Sequence, residues 1–166
     1  ANILGGEDRI EIPAGIYRLS LARTGDDTSA TGDLDITGDI VIQGAGADST
    51  VVDANELDRV FHIHPGATVT IRDVTIRGGH VGTGEWGGGI LNEGHLFLVN
   101  SKVVGNAADR GGGIANRTSA TSAIGSVASI VESVISTNTA ATDGGGLYNA
   151  AVGEFVSELA LEDSTV

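Results

Sequence analysis

The sequence predicts an all-β fold, a right-handed parallel β-helix of short strands with Gly/Asn-rich turns, and three observations predict it. A Gly-Gly-Gly-aliphatic-x-Asn unit recurs in the second half. Apolar residues alternate with a period of two, in runs only a few residues long. No segment holds the 3.6-residue helical period over three turns. The recurring unit weighs most, because self-similarity along a chain marks stacked repeats that cannot bury an apolar face singly.

Taken in chain order, the first strands are Ile10-x-Ile12, Tyr17-x-Leu19-x-Leu21, Leu34-x-Ile36, Ile40-x-Ile42, Phe61-x-Ile63 and Val69-x-Ile71. Turn signals separate them at Pro13-Ala14-Gly15, Gly44-Ala45-Gly46-Ala47-Asp48 and Pro65-Gly66-Ala67. The stretch 23–32 has no apolar period and reads as an excursion off the coil. From Val69 the spelling becomes regular. Gly87-Gly88-Gly89-Ile90-Leu91-Asn92 returns as Gly111-Gly112-Gly113-Ile114-Ala115-Asn116 and as Gly144-Gly145-Gly146-Leu147-Tyr148-Asn149. Between these copies runs Leu96-x-Leu98-x-x-Ser101-x-Val103-x-x-Asn106, repeated by Ala128-x-Ile130-x-x-Ser133-x-Ile135-x-x-Asn138 and begun again at Leu159. Val69-x-Ile71-x-x-Val74-x-Ile76 is a looser copy with Gly79 in the Asn position. The copy spacing suits one three-strand coil, with an insertion at 118–126. The whole chain, 1–166, is thus expected to form a single β-helix domain, with degenerate rungs over 1–68 and regular ones over 69–166.

Composition narrows the function. Glycine is frequent at 26 residues and proline scarce at 2, while 40% of the chain is apolar, so disorder and collagen are excluded and the glycines serve turns. The net charge of −13 repels phosphate backbones and anionic membranes, which argues against nucleic acid as a partner. Without cysteine there is neither a disulfide framework nor a thiolate metal site. No apolar run approaches the roughly 20 residues of a membrane span, so no membrane insertion of this segment is expected.

The glycine-rich and x-x-Asn elements over 69–166 resemble those of bacterial cell-surface proteins of the right-handed parallel β-helix type, including the polymorphic outer-membrane and adhesin-like repeat families. Asp8-Arg9-Ile10-Glu11-Ile12-Pro13-Ala14-Gly15-Ile16-Tyr17 and Thr31-Gly32-Asp33-Leu34-Asp35-Ile36 are similar to the opening rungs of long bacterial surface proteins that begin with a Ser-Leu-Arg-Glu-Ala-Ile signature. The signature itself does not occur in the chain. The resemblance implies a secreted or cell-surface location and specifies fold far better than activity.

Several residues invite a chemical reading. Asn92, Asn116 and Asn149 share one repeat position, and Asn106 and Asn138 another, so stacking aligns them into structural ladders. Polysaccharide lyases and hydrolases of this fold use clustered carboxylates with a cation or Arg/Lys on an outer strand face. Asp73 with Arg72 and Arg77 is the nearest approach, but Ser101 and Lys102 are expected at the next rung, so no catalytic residue is assigned. Trp86 is the one strong stacking platform and is expected to pack over glycine turns. His62 and His64 flank Ile63 at strand spacing and share a face. Two such imidazoles can hold zinc or copper, but no third ligand is evident, and a solvated face is expected. Asp26, Asp27, Asp33 and Asp35 crowd the excursion as candidate Ca²⁺ ligands, without the fixed spacing of a calcium loop. Asn116-Arg117-Thr118 matches a glycosylation acceptor.

The expected function is a non-enzymatic structural or adhesive surface module without a cofactor, with a polysaccharide lyase or hydrolase as the alternative. Cell-surface or matrix polysaccharide is the candidate ligand. Because the chain enters at Ala1 and leaves at Val166 inside a repeat, the expected partners are further coils of the same polypeptide or copies stacked end to end into a filament.

Overall fold

The structure, a computed structural model, describes residues 8–22, 31–119 and 124–166. Short apolar pairs cut by Gly, Asn and Ser give strands of three to six residues, and these wind into a parallel β-helix of about five turns. One face stacks β1 (Asp8–Ile12), β4 (Ile40–Gly44), β7 (Thr68–Arg72), β10 (His95–Val99), β14 (Ser126–Val131) and β18 (Ser157–Glu162). A second stacks β2 (Gly15–Arg18), β5 (Thr50–Asp53), β8 (Thr75–Arg77), β11 (Lys102–Val104) and β15 (Val134–Ser136). The third stacks β3 (Leu34–Ile36), β6 (Phe61–Ile63), β9 (Ile90–Asn92), β13 (Ile114–Arg117) and β17 (Leu147–Ala150). A small fourth sheet, β12 (Ala107–Arg110) with β16 (Thr139–Asp143), departs from the simple three-strand coil, because the segments before the second and third glycine triplets pair with each other.

The parallel register puts like above like. Val69, Leu96 and Ala128 form one inward column, Ile71, Leu98 and Ile130 a second, Ile76, Val103 and Ile135 a third, and Phe61, Ile90 and Ile114 a fourth. All are buried, and each Val, Leu, Ile or Phe side chain among them contributes about 1.5–3 kcal/mol by leaving water.

The glycine triplet has two physical causes. Its first member is left-handed, with φ of 67°, 61° and 65° at Gly87, Gly111 and Gly144. Its later members let adjacent turns touch through backbone, since a Cβ on Gly112 would lie 2.0 Å from the Thr139 carbonyl oxygen. Gly79 has the same origin, for a Cβ there would meet the Gly88 oxygen at 1.8 Å, which leaves no room for the Asn found one turn later.

Candidate functional site

The predicted Asn positions come together in two columns, buried at Asn92, Asn116 and Asn106, half-buried at Asn138 and exposed at Asn149. Asn92 Nδ2 donates to Asn116 Oδ1 at 2.7 Å, and Asn116 Nδ2 donates to Asn149 Oδ1 at 2.8 Å. The same amides also donate to the carbonyls of Val127 and Glu158, each at 2.8 Å. In the second column Asn138 Oδ1 accepts from the backbone and side chain of Asn106, both at 3.0 Å, and Asn106 Oδ1 accepts from Gly79 N at 2.9 Å. Asn116 has no exposed surface, so the glycosylation reading of that residue is corrected.

A serine column escaped the sequence reading. Ser101, Ser133 and Ser164 each accept the backbone N–H of the turn below, at 3.3, 3.1 and 3.1 Å, and each donates to the carbonyl two residues earlier at 2.8 Å. The signal was present in the x-x-Ser of the repeat. Just before it, Asp73, Asn100, Glu132 and Asp163 turn the corner with φ of 58°, 45°, 50° and 47°. The residue stacked on Asp73 is therefore Asn100, not Ser101 or Lys102, because Asp73 N bonds the Val99 carbonyl. Asp73 accepts from Gln43, Asn100 and Arg72. Burial alone would raise its pKa, and those donors hold it below the usual carboxylate range. Arg77 pairs instead with Asp53 at 3.0 Å, so the three residues do not form one cluster. Trp86 packs against cationic and aromatic side chains. The Arg117 guanidinium lies 4.0 Å from its ring centroid, and Tyr148 meets it edge-on at 5.6 Å.

The densest chemistry lies on the outer face of the third sheet, where the register sets His62 on Asp35. His64 Nε2 is 2.7 Å from Asp35 Oδ1, and His62 Nδ1 is 3.4 Å from that same oxygen. The two rings lie 3.9 Å apart between centroids. His62 Nε2 contacts Glu93 Oε2 at 3.2 Å, and Arg117 Nε donates to Glu93 Oε1 at 2.9 Å. Burial opposes ionisation of Glu93, but His62 and Arg117 bring its pKa below the ordinary value. The solvated-face expectation is corrected for His62, while His64 is half-buried. The His62 side chain is 9% exposed and Asp35 only 2%, and Glu93 of the next turn lies against the His62 ring.

Beside this group Arg59, itself buried, bridges Asp33 at 3.2 Å and Glu85 at 3.0 Å. Burial pushes the Asp33 carboxyl up to about 6, against the pull of Arg59 and with the nearby Asp58 and Asp35 adding to the rise. Of the four acidic residues considered for Ca²⁺, Asp33 thus faces a guanidinium and Asp35 two imidazoles, while Asp26 and Asp27 lie outside the described residues.

Compared with known protein families, with curated proteins and with solved structures, the chain finds no match in any of the three.

Proposed function

We propose that the protein is a non-enzymatic structural and adhesive module, exposed on a cell surface or secreted, of the kind seen in bacterial β-helix surface proteins. One observation carries the reading: the polar residues that recur from turn to turn are spent on one another. The Asn and Ser columns bond along the solenoid axis, which is cohesion rather than ligand capture. The alternative, a polysaccharide lyase or hydrolase, needs reactive groups free to meet a sugar. Asp73 is held by three donors, Arg77 by Asp53, and Trp86 lies under Arg117. Association with further coils, from the same polypeptide or from another copy, belongs to this reading, because parallel strands present hydrogen-bonding groups in both axial directions. Cell-surface or matrix polysaccharide is the proposed contact, and a net charge of −13 argues against nucleic acid.

The test pairs electron microscopy of the native material with incubation of the protein with pectin and alginate. Surface stalks or filaments, with no release of reducing or unsaturated ends, are expected. Turnover that disappears in Asp73→Ala overturns the reading in favour of the enzyme.

A further inference from the structure

We propose that Asp35, His62 and His64 form a binding site for one divalent first-row transition ion, with Zn²⁺ the best fit. The ligand atoms, one from each residue, all lie within 4.8 Å of one another. They come from two adjacent turns, Asp35 on β3 and the histidines on and just after β6, so the site is a product of the stacking.

Distances favour a metal. Tetrahedral Zn²⁺ with bonds near 2.0–2.1 Å keeps its ligand atoms about 3.3 Å apart. His62 Nδ1 and Asp35 Oδ1 already stand at 3.4 Å, too far for a good hydrogen bond and right for two ligands of one ion. His64 Nε2 and Asp35 Oδ1, at 2.7 Å, are hydrogen-bonded, and this pair opens slightly to admit a cation between them.

The second observation is His62 Nδ1 itself. It is buried and makes no hydrogen bond, although a buried ring nitrogen without a partner is costly. The other nitrogen of that ring faces Glu93, which Arg117 holds in turn. A carboxylate behind a histidine fixes the ring and leaves the lone pair of the opposite nitrogen for a cation, the usual outer-shell arrangement of metal-ligating imidazoles. Two imidazoles and one carboxylate, with no thiolate, select against Ca²⁺ and Mg²⁺, which want oxygens, and against soft Cu(I). His64 is the most exposed of the three, which leaves a fourth position toward solvent. An ion there ties the third-sheet strand of one early, irregular turn to that of the next.

The experiment uses the tag-free chain, freed of metal by chelator and titrated with ZnCl₂ by calorimetry at neutral pH. One saturable equivalent is expected, together with a rise in Tm. His64→Ala and Asp35→Asn should each weaken binding more than tenfold, and Glu93→Gln by about 10–100-fold. Circular dichroism verifies that each variant is folded. Co²⁺ in place of Zn²⁺ should give visible d–d absorption that His64→Ala abolishes, a readout that a purely structural histidine would not move. Absence of saturable binding, or affinity in His64→Ala and Asp35→Asn equal to that of the parent, overturns the proposal, the latter by sending the ion to other side chains.

Discussion

Asn92 and Asn116 occupy the same position on successive turns, fully buried, and the amide of the first donates to the carbonyl oxygen of the second at 2.7 Å. In the two turns before them the same column holds Ile36 and Ile63, so it changes from an aliphatic stack to an amide stack within a single register. The amide stack is tolerated in the interior only because each group finds partners, and this makes it a stringent place to perturb.

Asn116→Ala removes donors to Asn149, Ser157 and the Glu158 carbonyl and strips Asn92 of one acceptor. A loss of about 2–3 kcal/mol is expected, since buried groups are left unpaired. Asn149→Ala, at a more exposed position, should cost under about 1 kcal/mol. Urea unfolding of both variants checks the contrast, and similar losses would show that the column is not cohesive.

Ile114 is fully buried in the column of Phe61 and Ile90, whereas Phe97 is 41% exposed on the outer side of β10. Ile114→Ala should cost about 2–5 kcal/mol through lost contacts and a residual cavity. Phe97→Ala should cost under about 1 kcal/mol despite the larger side chain. Thermal melts that reverse this order would mean that the two faces of the strands have been exchanged.

Two glycines separate crowding from backbone conformation. Gly112→Ala places a methyl 2.0 Å from the Thr139 oxygen and must push adjacent turns away from each other, for an expected loss of at least about 3 kcal/mol. Gly105 has φ of 64° with nothing within 4 Å of an added Cβ, so Gly105→Ala should cost only the left-handed penalty of about 1–2 kcal/mol. Chemical denaturation of the pair decides whether close approach or φ dominates.

Asp53 accepts from Asn55 N at 2.9 Å and from Arg77 Nε at 3.1 Å, with Arg18 at 3.6 Å. Burial by itself would raise its pKa, but these donors and charges outweigh it and set the carboxyl below the ordinary value. Its folded pKa therefore lies under the unfolded one. The resulting stability is present above about pH 4 and is lost as pH falls through the folded value. Asp53→Asn should be less stable than the parent by about 1–2 kcal/mol at pH 7, with the gap closing in acid. Melts across pH 2.5–7 measure it, and a gap that widens in acid would contradict the ion-pair account.

The solenoid and its Asn columns were legible because the regular turns repeat their spelling, so spacing alone aligns Asn92 with Asn116 and Asn149. The His and Asp group was not legible. His64 and Asp35 are 29 positions apart, and His62 and Glu93 are 31 apart, in turns whose lengths differ and whose turn residues are not repeated. The usable signal lay in the core: once Leu34-x-Ile36 and Phe61-x-Ile63 are set in one register, Asp35 falls on His62. His62 meets Glu93, which the next turn places beside it, a relation no local pattern carries. Corner residues such as Glu132 were also missed, because a left-handed φ is not expected at a residue that disfavours it.

The corner between the third and first sheets spans 37–39, 64–67, 93–94 and 151–156 on four of the turns. Before it Ile36, Ile63, Asn92, Asn116 and Asn149 stay in step, and after it so do Ile40, Val69, Leu96, Ala128 and Leu159. Chain length at this edge is thus decoupled from the lattice on either side. Lengthening a loop whose ends are already fixed adds only a slowly growing entropy cost. The edge is an insertion port: new sequence can be grafted there, by selection or by design, without disturbing the strand registers on either side.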